Sequence, residues 1–466
     1  MEHAAMDNKA GGVSLNLYKL TWPIFLELLL FMMMGTADTL MLSGVSDDAV
    51  SAVGVVNQYI FICILIMEVI SNGASVVVAQ YIGSRRMAEA SKIAALAITM
   101  NLVLGLAVSA ALFGFSDAIL SSMNLEGQVL AYAKTYMDIV GGFIFIQALI
   151  NVLASLIRTY GFTKESMYVA FGMNVVHVGL NFVLIFGYLG FPEMGVAGAA
   201  VSTVISRALA FVVFAWVLYR VMEVRIALRD YVTFSKTYMR KILSVGIPSA
   251  LEQVTYHACQ TVFLYYVTFL GAEALASRSY AMTISQYIYL FSAAIGMGTA
   301  IIVGRYVGAK LKDQAYRRVM KSVVWSLSIT IAVDLVIIAF REPLVNLFTD
   351  SAEVIRMTTQ VILFSILLET GRSINLVFIN ALRAAGDAKF PVYMGFISMV
   401  CMSLPLGYLL VFKLDMGLPG VWIAIAADEW LRGIIMSHRW RSRVWEKRSL
   451  VEPLEPAAAA AAGSGN

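Results

Sequence analysis

A predominantly apolar run from Leu20 to Leu42, LTWPIFLELLLFMMMGTADTLML, limits what this chain can fold into more than any other feature. Roughly 20 residues rising about 1.5 Å each cross the hydrocarbon layer of a bilayer, so the run predicts a membrane-spanning helix. Two acids sit inside it. Glu27 and Asp38 lie eleven residues apart, about three turns, and fall on nearly one face at two depths. A carboxylate at membrane depth costs on the order of 2.5–3.5 kcal/mol and usually faces a polar cavity or a partner, so both are functional candidates.

That run, at about residues 19–42, is the first of twelve. The others occupy about 51–80, 91–115, 129–157, 166–190, 195–220, 238–270, 274–304, 315–340, 354–382, 391–412 and 418–438. With 60% hydrophobic and 14% charged residues over 466 positions, the chain is expected to be an all-α polytopic membrane protein of twelve transmembrane helices. No cleavable signal peptide is expected before span one, which is expected to direct insertion itself. Cys63, Cys259 and Cys401 have no Cys or His at ligand spacing, so neither disulfide, metal nor cofactor is expected.

Lysine and arginine crowd alternate loops: Arg85, Arg86 and Lys92; Arg158 and Lys164; Arg225 to Lys241; Lys310 to Arg318; Arg383 and Lys389; Arg439 to Arg448. Acids such as Asp47, Asp117, Glu193, Glu273 and Asp350 mark the opposite loops. Basic loops stay cytoplasmic, so both termini are expected there, in a cell-membrane protein. The net charge of +4 reflects this asymmetry and contact with anionic lipid, and argues for no nucleic-acid partner.

Sliding the chain by 225 positions pairs Pro23 with Pro248, Glu27 with Glu252, Gly73 with Gly298, Gly83 with Gly308, Arg158 with Arg383 and Arg207 with Arg432. One register held across six spans marks an internal duplication. Because each half has an even number of spans, the halves are expected to be two six-helix lobes related by a pseudo-two-fold axis along the membrane normal. The division is residues 1–220 for the first lobe, 221–241 for a basic linker and 242–440 for the second lobe. Residues 441–466 form a basic tail ending in an Ala-Gly-Ser appendage outside the fold. Two parallel lobes meeting at a cleft suit alternating access, and no pore filter sequence appears.

With these features the chain resembles the MATE (multidrug and toxic compound extrusion) family over essentially its whole length. The matching residues are Ala37-Asp38-Thr39 in span one, VVVAQYIGSRR at Val76–Arg86, and ALRAAGDAKFP at Ala381–Pro391. Asn181–Gly187 and Gly195–Thr203 look like the span-five and span-six signatures. Asp428-Glu-Trp-Leu-Arg432 and the basic RWRSRVW after it resemble a bacterial, DinF-like branch. The resemblance implies a multidrug efflux antiporter whose cation-coupling site is Asp38, His177, Asn181 and Thr203, with His177 standing where the family usually holds Asn. The sodium-coupled branch places a glutamate eight residues after the span-seven proline. Here that position is Tyr256 and the nearest acid is Glu252, so protons are expected, with sodium the alternative.

On this reading protonation of Asp38 competes with apolar, often cationic compounds, and the cargo leaves as the proton enters. The 25 methionines and 11% aromatics offer adaptable apolar walls, Met32 to Met34 among them. Glu27 and Glu252, one turn after their prolines, are expected to cap freed backbone or line the cleft. Glu68 and Asp428 are candidate secondary carboxylates, Asp428 at the repeat position of Thr203. Glu369 and Arg372 are expected to pair, as are Lys134 and Asp138. Asp334 reads as solvated or functional near an outer end, and His257 as a satisfied buried histidine. Arg207 and Arg432 are expected to hold helices together or snorkel, and Gly296–Gly298 to be a close helix contact. A lipid-precursor flippase is the nearest rival. A membrane enzyme lacks its motifs here, and ATP-driven pumping lacks a phosphate loop. The protein is expected to act as a monomer.

Overall fold

The computed structural model describes residues 16–123, 125–221 and 226–451, so the appendage and Arg225 lie outside it. Twelve long helical segments follow in order: α1 (Leu17–Ser43), α2 (Asp47–Gly83), α3 (Met87–Gly114), α4 (Gly127–Gly141 with Ile144–Thr159), α5 (Thr163–Phe186), α6 (Gly195–Val221), α7 (Lys236–Thr268), α8 (Ala272–Gly308), α9 (Lys312–Ala339), α10 (Ala352–Ala384), α11 (Lys389–Lys413) and α12 (Gly417–Arg441). Among the described residues nine are long and apolar enough to cross a membrane by themselves. A tenth, α4, is bent by 47°. The remaining two, α7 and α12, carry polar and charged residues turned inward, Glu252 on one and Asp428, Glu429 and Arg432 on the other, all buried. A polar span is tolerated in lipid when its charges face protein.

Local chemistry sets the helix ends. Asn16 and Ser46 begin α1 and α2 by accepting from the backbone N–H of Tyr18 (3.0 Å) and Ala49 (3.1 Å), satisfying donors that have no partner within the helix. Gly187 closes α5 in the left-handed region at φ 71°, which glycine adopts without a Cβ penalty. Pro23 and Pro248 lie inside α1 and α7, each removing a backbone donor.

The duplication reappears as crossed contacts between the halves. A Cβ on Gly83 would fall 2.0 Å from the carbonyl oxygen of Arg305, and one on Gly308 would fall 1.9 Å from that of Gln80. The Gln80 amide donates to the Ala384 carbonyl (2.7 Å), and Arg305 donates to the Thr159 carbonyl (2.8 Å). Each contact maps onto the other by the 225-residue shift. Only residues without side chains let two helix backbones approach this closely. Gly298 likewise meets Thr21, and Gly296 meets Asn380, which makes both close contacts.

A strap follows α12. Trp440 and Trp445 stack 4.2 Å apart, fully buried, and residues 448–451 then run to the junction of the halves. There the Leu450 N–H donates to Gln80 Oε1 (2.8 Å), and the Leu450 side chain packs among Val76, Val245 and Ala388. The strap seals the basic end of the molecule, where α2 and α8 finish.

Several local expectations change. Lys134 pairs with Asp117 rather than with Asp138, whose Oδ1 is buried without a partner among the described residues. Asp117, on the short helix before α4, approaches Lys134 where a neighbour on the same helix does not. Glu27 and Glu252 bind arginines, Arg158 and Arg383, at 2.5 Å each, instead of capping backbone. These two pairs are repeat copies. Asp334 is fully buried and not solvated, while His257 is exposed, with its ring edge against Phe61.

Candidate functional site

Asp38 is presented by α1 to the interior of the first half, where α5 and α6 supply the facing side chains. His177 and Asn181 are one turn apart on α5, so both reach it. His177 Nε2 lies 2.7 Å from Asp38 Oδ1, and the Asn181 amide donates to the same oxygen at 2.6 Å. All three residues are buried. Ser206 and Ser202 approach His177 Nδ1 at 3.3 and 3.4 Å, and Ser202 also donates to the His177 carbonyl at 3.0 Å. Both nitrogens of the ring are therefore engaged.

This geometry accommodates a proton in two places. With an ionised Asp38, the ring donates through Nε2 and accepts at Nδ1 from Ser206 once that hydroxyl proton turns away from the Thr203 carbonyl. With a protonated Asp38, the carboxyl donates to Nε2 while Nδ1–H donates to serine. The heavy atoms stay in place in either arrangement. Among the described residues no donor reaches the buried Asn181 Oδ1, and such an unmet acceptor carries a cost unless a ligand meets it.

Thr203, expected beside Asp38, is in the same interior but uses its hydroxyl on the Ala199 carbonyl (2.9 Å). The Tyr136 hydroxyl stands near Thr203 and Asn57, within the fields of Asp38 and Arg207. Tyr136 ends the straight part of α4, where a turn of π-helix, Met137–Gly141, precedes the bend. Such turns break the regular helix and often sit at functional sites. Tyr136, Ser202, Ser206 and Arg207 were not among the expected coupling residues. On α6 Ser206 follows Thr203 by three residues and Ser202 by four, and that helical spacing is the signal that could have found the two serines.

The second half carries a denser charge network. Arg372 binds Glu369 (2.7 Å) and faces Glu429 (3.6 Å), and Arg432 binds Asp428 (2.8 Å) and Glu429 (3.0 Å). Ser398 donates to Asp428 at 2.5 Å and Asn375 to Glu429 at 2.8 Å. Asp428 is thus neutralised by Arg432 instead of standing open. Glu68 stands apart, lining a small pocket between α2 and α7 with Asn72 and Ser249. Of the Met32–Met34 triplet, Met34 is buried in the packing and Met33 is exposed.

The sequence pattern of the MatE family matches residues 23–183 and again 248–409, so the two matches start at the prolines that the repeat pairs. The chain belongs to the MATE family. It is a multi-pass membrane transporter and not an enzyme. It is 43% identical over 442 residues to the "Uncharacterized transporter YisQ" of Bacillus subtilis (strain 168), covering 95% of this chain and 97% of that one. It is 28% identical to the "Probable multidrug resistance protein NorM" of Thermotoga maritima, over 93% of this chain and 94% of the relative. Among solved structures, the "Outward-facing conformation of a multidrug resistance MATE family transporter of the MOP superfamily" superposes with a TM-score of 0.85. At 21% identity over 95% of this chain and 97% of that one, the likeness shows a common fold.

Proposed function

We propose that this MATE transporter is a secondary active efflux antiporter that exchanges protons for apolar, often cationic organic compounds by alternating access of its two six-helix lobes. The observation that carries the reading is the Asp38–His177–Asn181 cluster. It is buried in one lobe, able to shift a proton without moving heavy atoms, and left with an unmet acceptor for an incoming N–H. Protonation removes the charge that holds a cationic cargo, so the two compete for one carboxylate. The relatives named multidrug resistance proteins support a drug-like cargo. Coupling to protons rather than sodium is supported by Tyr256, which stands at the sodium-branch glutamate position and turns its hydroxyl to Arg372 (3.4 Å). The Asp428–Arg432 element supports a DinF-like branch. The concentration of Lys and Arg at one end supports a cell-membrane orientation with both termini in the cytoplasm. The first lobe is taken to end near residue 220 and the second to begin near 242, and a monomer is taken as the working unit.

The test is transport by purified protein in vesicles with an imposed proton gradient. Asp38→Asn should insert and fold yet lose gradient-driven export. Export by Asp38→Asn at the parental rate would falsify the competition mechanism.

A further inference from the structure

The two halves differ at one pair of repeat positions in a way that bears on cargo. Arg432 on α12 is held by Asp428 and Glu429, four and three residues before it. The matching residue on α6 is Arg207, and the matching positions before it are Thr203 and Val204, neither of which carries a charge. Among the described residues no acid lies within salt-bridge distance of Arg207, and its guanidinium donates no hydrogen bond. Its Nε is buried without an acceptor. It belongs to the interior face of α6, following Thr203 by one turn and Ser206 by one residue, both buried. It lies within the electrostatic reach of Tyr136 and Asp38. The side chain as a whole is half-buried, so a ligand can still reach it.

Arginine stays charged under all ordinary conditions, and its planar fork matches a carboxylate with two parallel hydrogen bonds. Leaving that fork empty in a low-dielectric interior is costly. Asp38 does not fill it: no salt bridge joins the two among the described residues, and Asp38 Oδ1 is taken by His177 and Asn181. The same interior thus offers an anion-seeking donor at Arg207, and a cation-seeking pair at Asp38 and Asn181 Oδ1.

From this asymmetry we infer that the first lobe recognises an acidic group on its cargo through Arg207, so that the preferred cargo is amphoteric, carrying a carboxylate as well as a cationic nitrogen. This rests on the proposal that the Asp38 interior is the cargo site. It adds a second recognition point, which takes a negative group and which the second lobe lacks because its arginine is already neutralised. Arg207 acts as a specificity determinant and takes no part in holding the proton.

A matched dye pair separates the two points. Rhodamine 110 carries a free carboxylate, and rhodamine 123 is its methyl ester with the same cationic ring system. Binding of each to purified full-length protein is read by fluorescence polarisation. The expected result is that the parent binds the acid more tightly than the ester by about tenfold, the scale of a charge-assisted bidentate pair. Arg207→Gln should lose that preference while its affinity for the ester changes by less than about threefold. Arg207→Lys, which keeps the charge without the fork, should retain part of the preference and guards against a glutamine variant that fails to fold. Equal binding of the two dyes by the parent, no binding of rhodamine 110, or equal weakening of both dyes by Arg207→Gln would each overturn the inference. Failure of the cargo-site reading has a different signature: Asp38→Asn would then leave the binding of both dyes unchanged.

Discussion

Adding one methyl group at the crossing of α2 and α8 should pry open the basic end of the protein. Alanine at 308 places its Cβ 1.9 Å from the Gln80 carbonyl oxygen, where ordinary contact begins near 3.4 Å, so the opposing backbone must retreat by about 1.5 Å. Alanine at 83 demands nearly the same of Arg305, from 2.0 Å. Backbone cannot rotate away as a side chain can, and overpacking of this kind costs about 1–3 kcal/mol. If this end opens and closes as a two-state element, that penalty shifts the balance toward the open form by about 5- to 150-fold. The assay is pulsed electron spin resonance between labels at Ala88→Cys and Lys310→Cys, both exposed positions, in a background with Cys63, Cys259 and Cys401 replaced by serine. Gly308→Ala should add a longer-distance population, and Gly83→Ala with Gly308→Ala a larger one. Gly35→Ala is the control, because nothing lies within 4 Å of its added Cβ. It reports the helix-propensity gain of alanine over glycine alone. A Gly308→Ala distance distribution that superimposes on the parent, with the melting temperature of the Gly35→Ala control, would refute the reasoning.

Four further outcomes follow from the described contacts. Removing one partner of the repeat-related, partly buried pairs, as in Glu27→Gln or Glu252→Gln, should lower stability by about 1.5–3 kcal/mol, read as a fall in melting temperature. Glu353→Gln, which breaks the exposed pair with Arg356 at 2.6 Å, should leave the melting temperature unchanged. Asp334→Leu should raise stability by about 1–3 kcal/mol in the same melt, since among the described residues no donor meets either buried carboxylate oxygen; a fall would show that Asp334 is held by something it needs. Ending the chain after Arg448 should widen the same label-to-label distances as Gly308→Ala, because Gln80 then loses its bond from Leu450 and the junction loses an apolar side chain.

Periodicity and the repeat made the helices legible, because apolar length and a 225-residue register survive without knowledge of any contact. Glu27 and Arg158 were both visible as repeated residues, yet their pairing joins helices separated by 131 residues, and no local spacing encodes that. Local spacing also misled. Lys134 and Asp138 are helix neighbours, but the bend in α4 and the short helix before it bring Asp117 to the lysine instead. Asp38, His177 and Asn181 could be gathered because their types are costly in a membrane. Tyr136 and the two serines, ordinary residues in an apolar span, gain meaning only from the partners that folding gives them. Arg207 was seen as a repeat partner of Arg432, and only the structure separates the neutralised member from the free one.

Gln80 is spoken for on both sides of its amide, by Ala384 and by Leu450. A ribosome makes the chain from its amino end, so the glutamine waits through some 370 further residues before its last partner exists. The finished clasp therefore records that every helix before it has already been delivered.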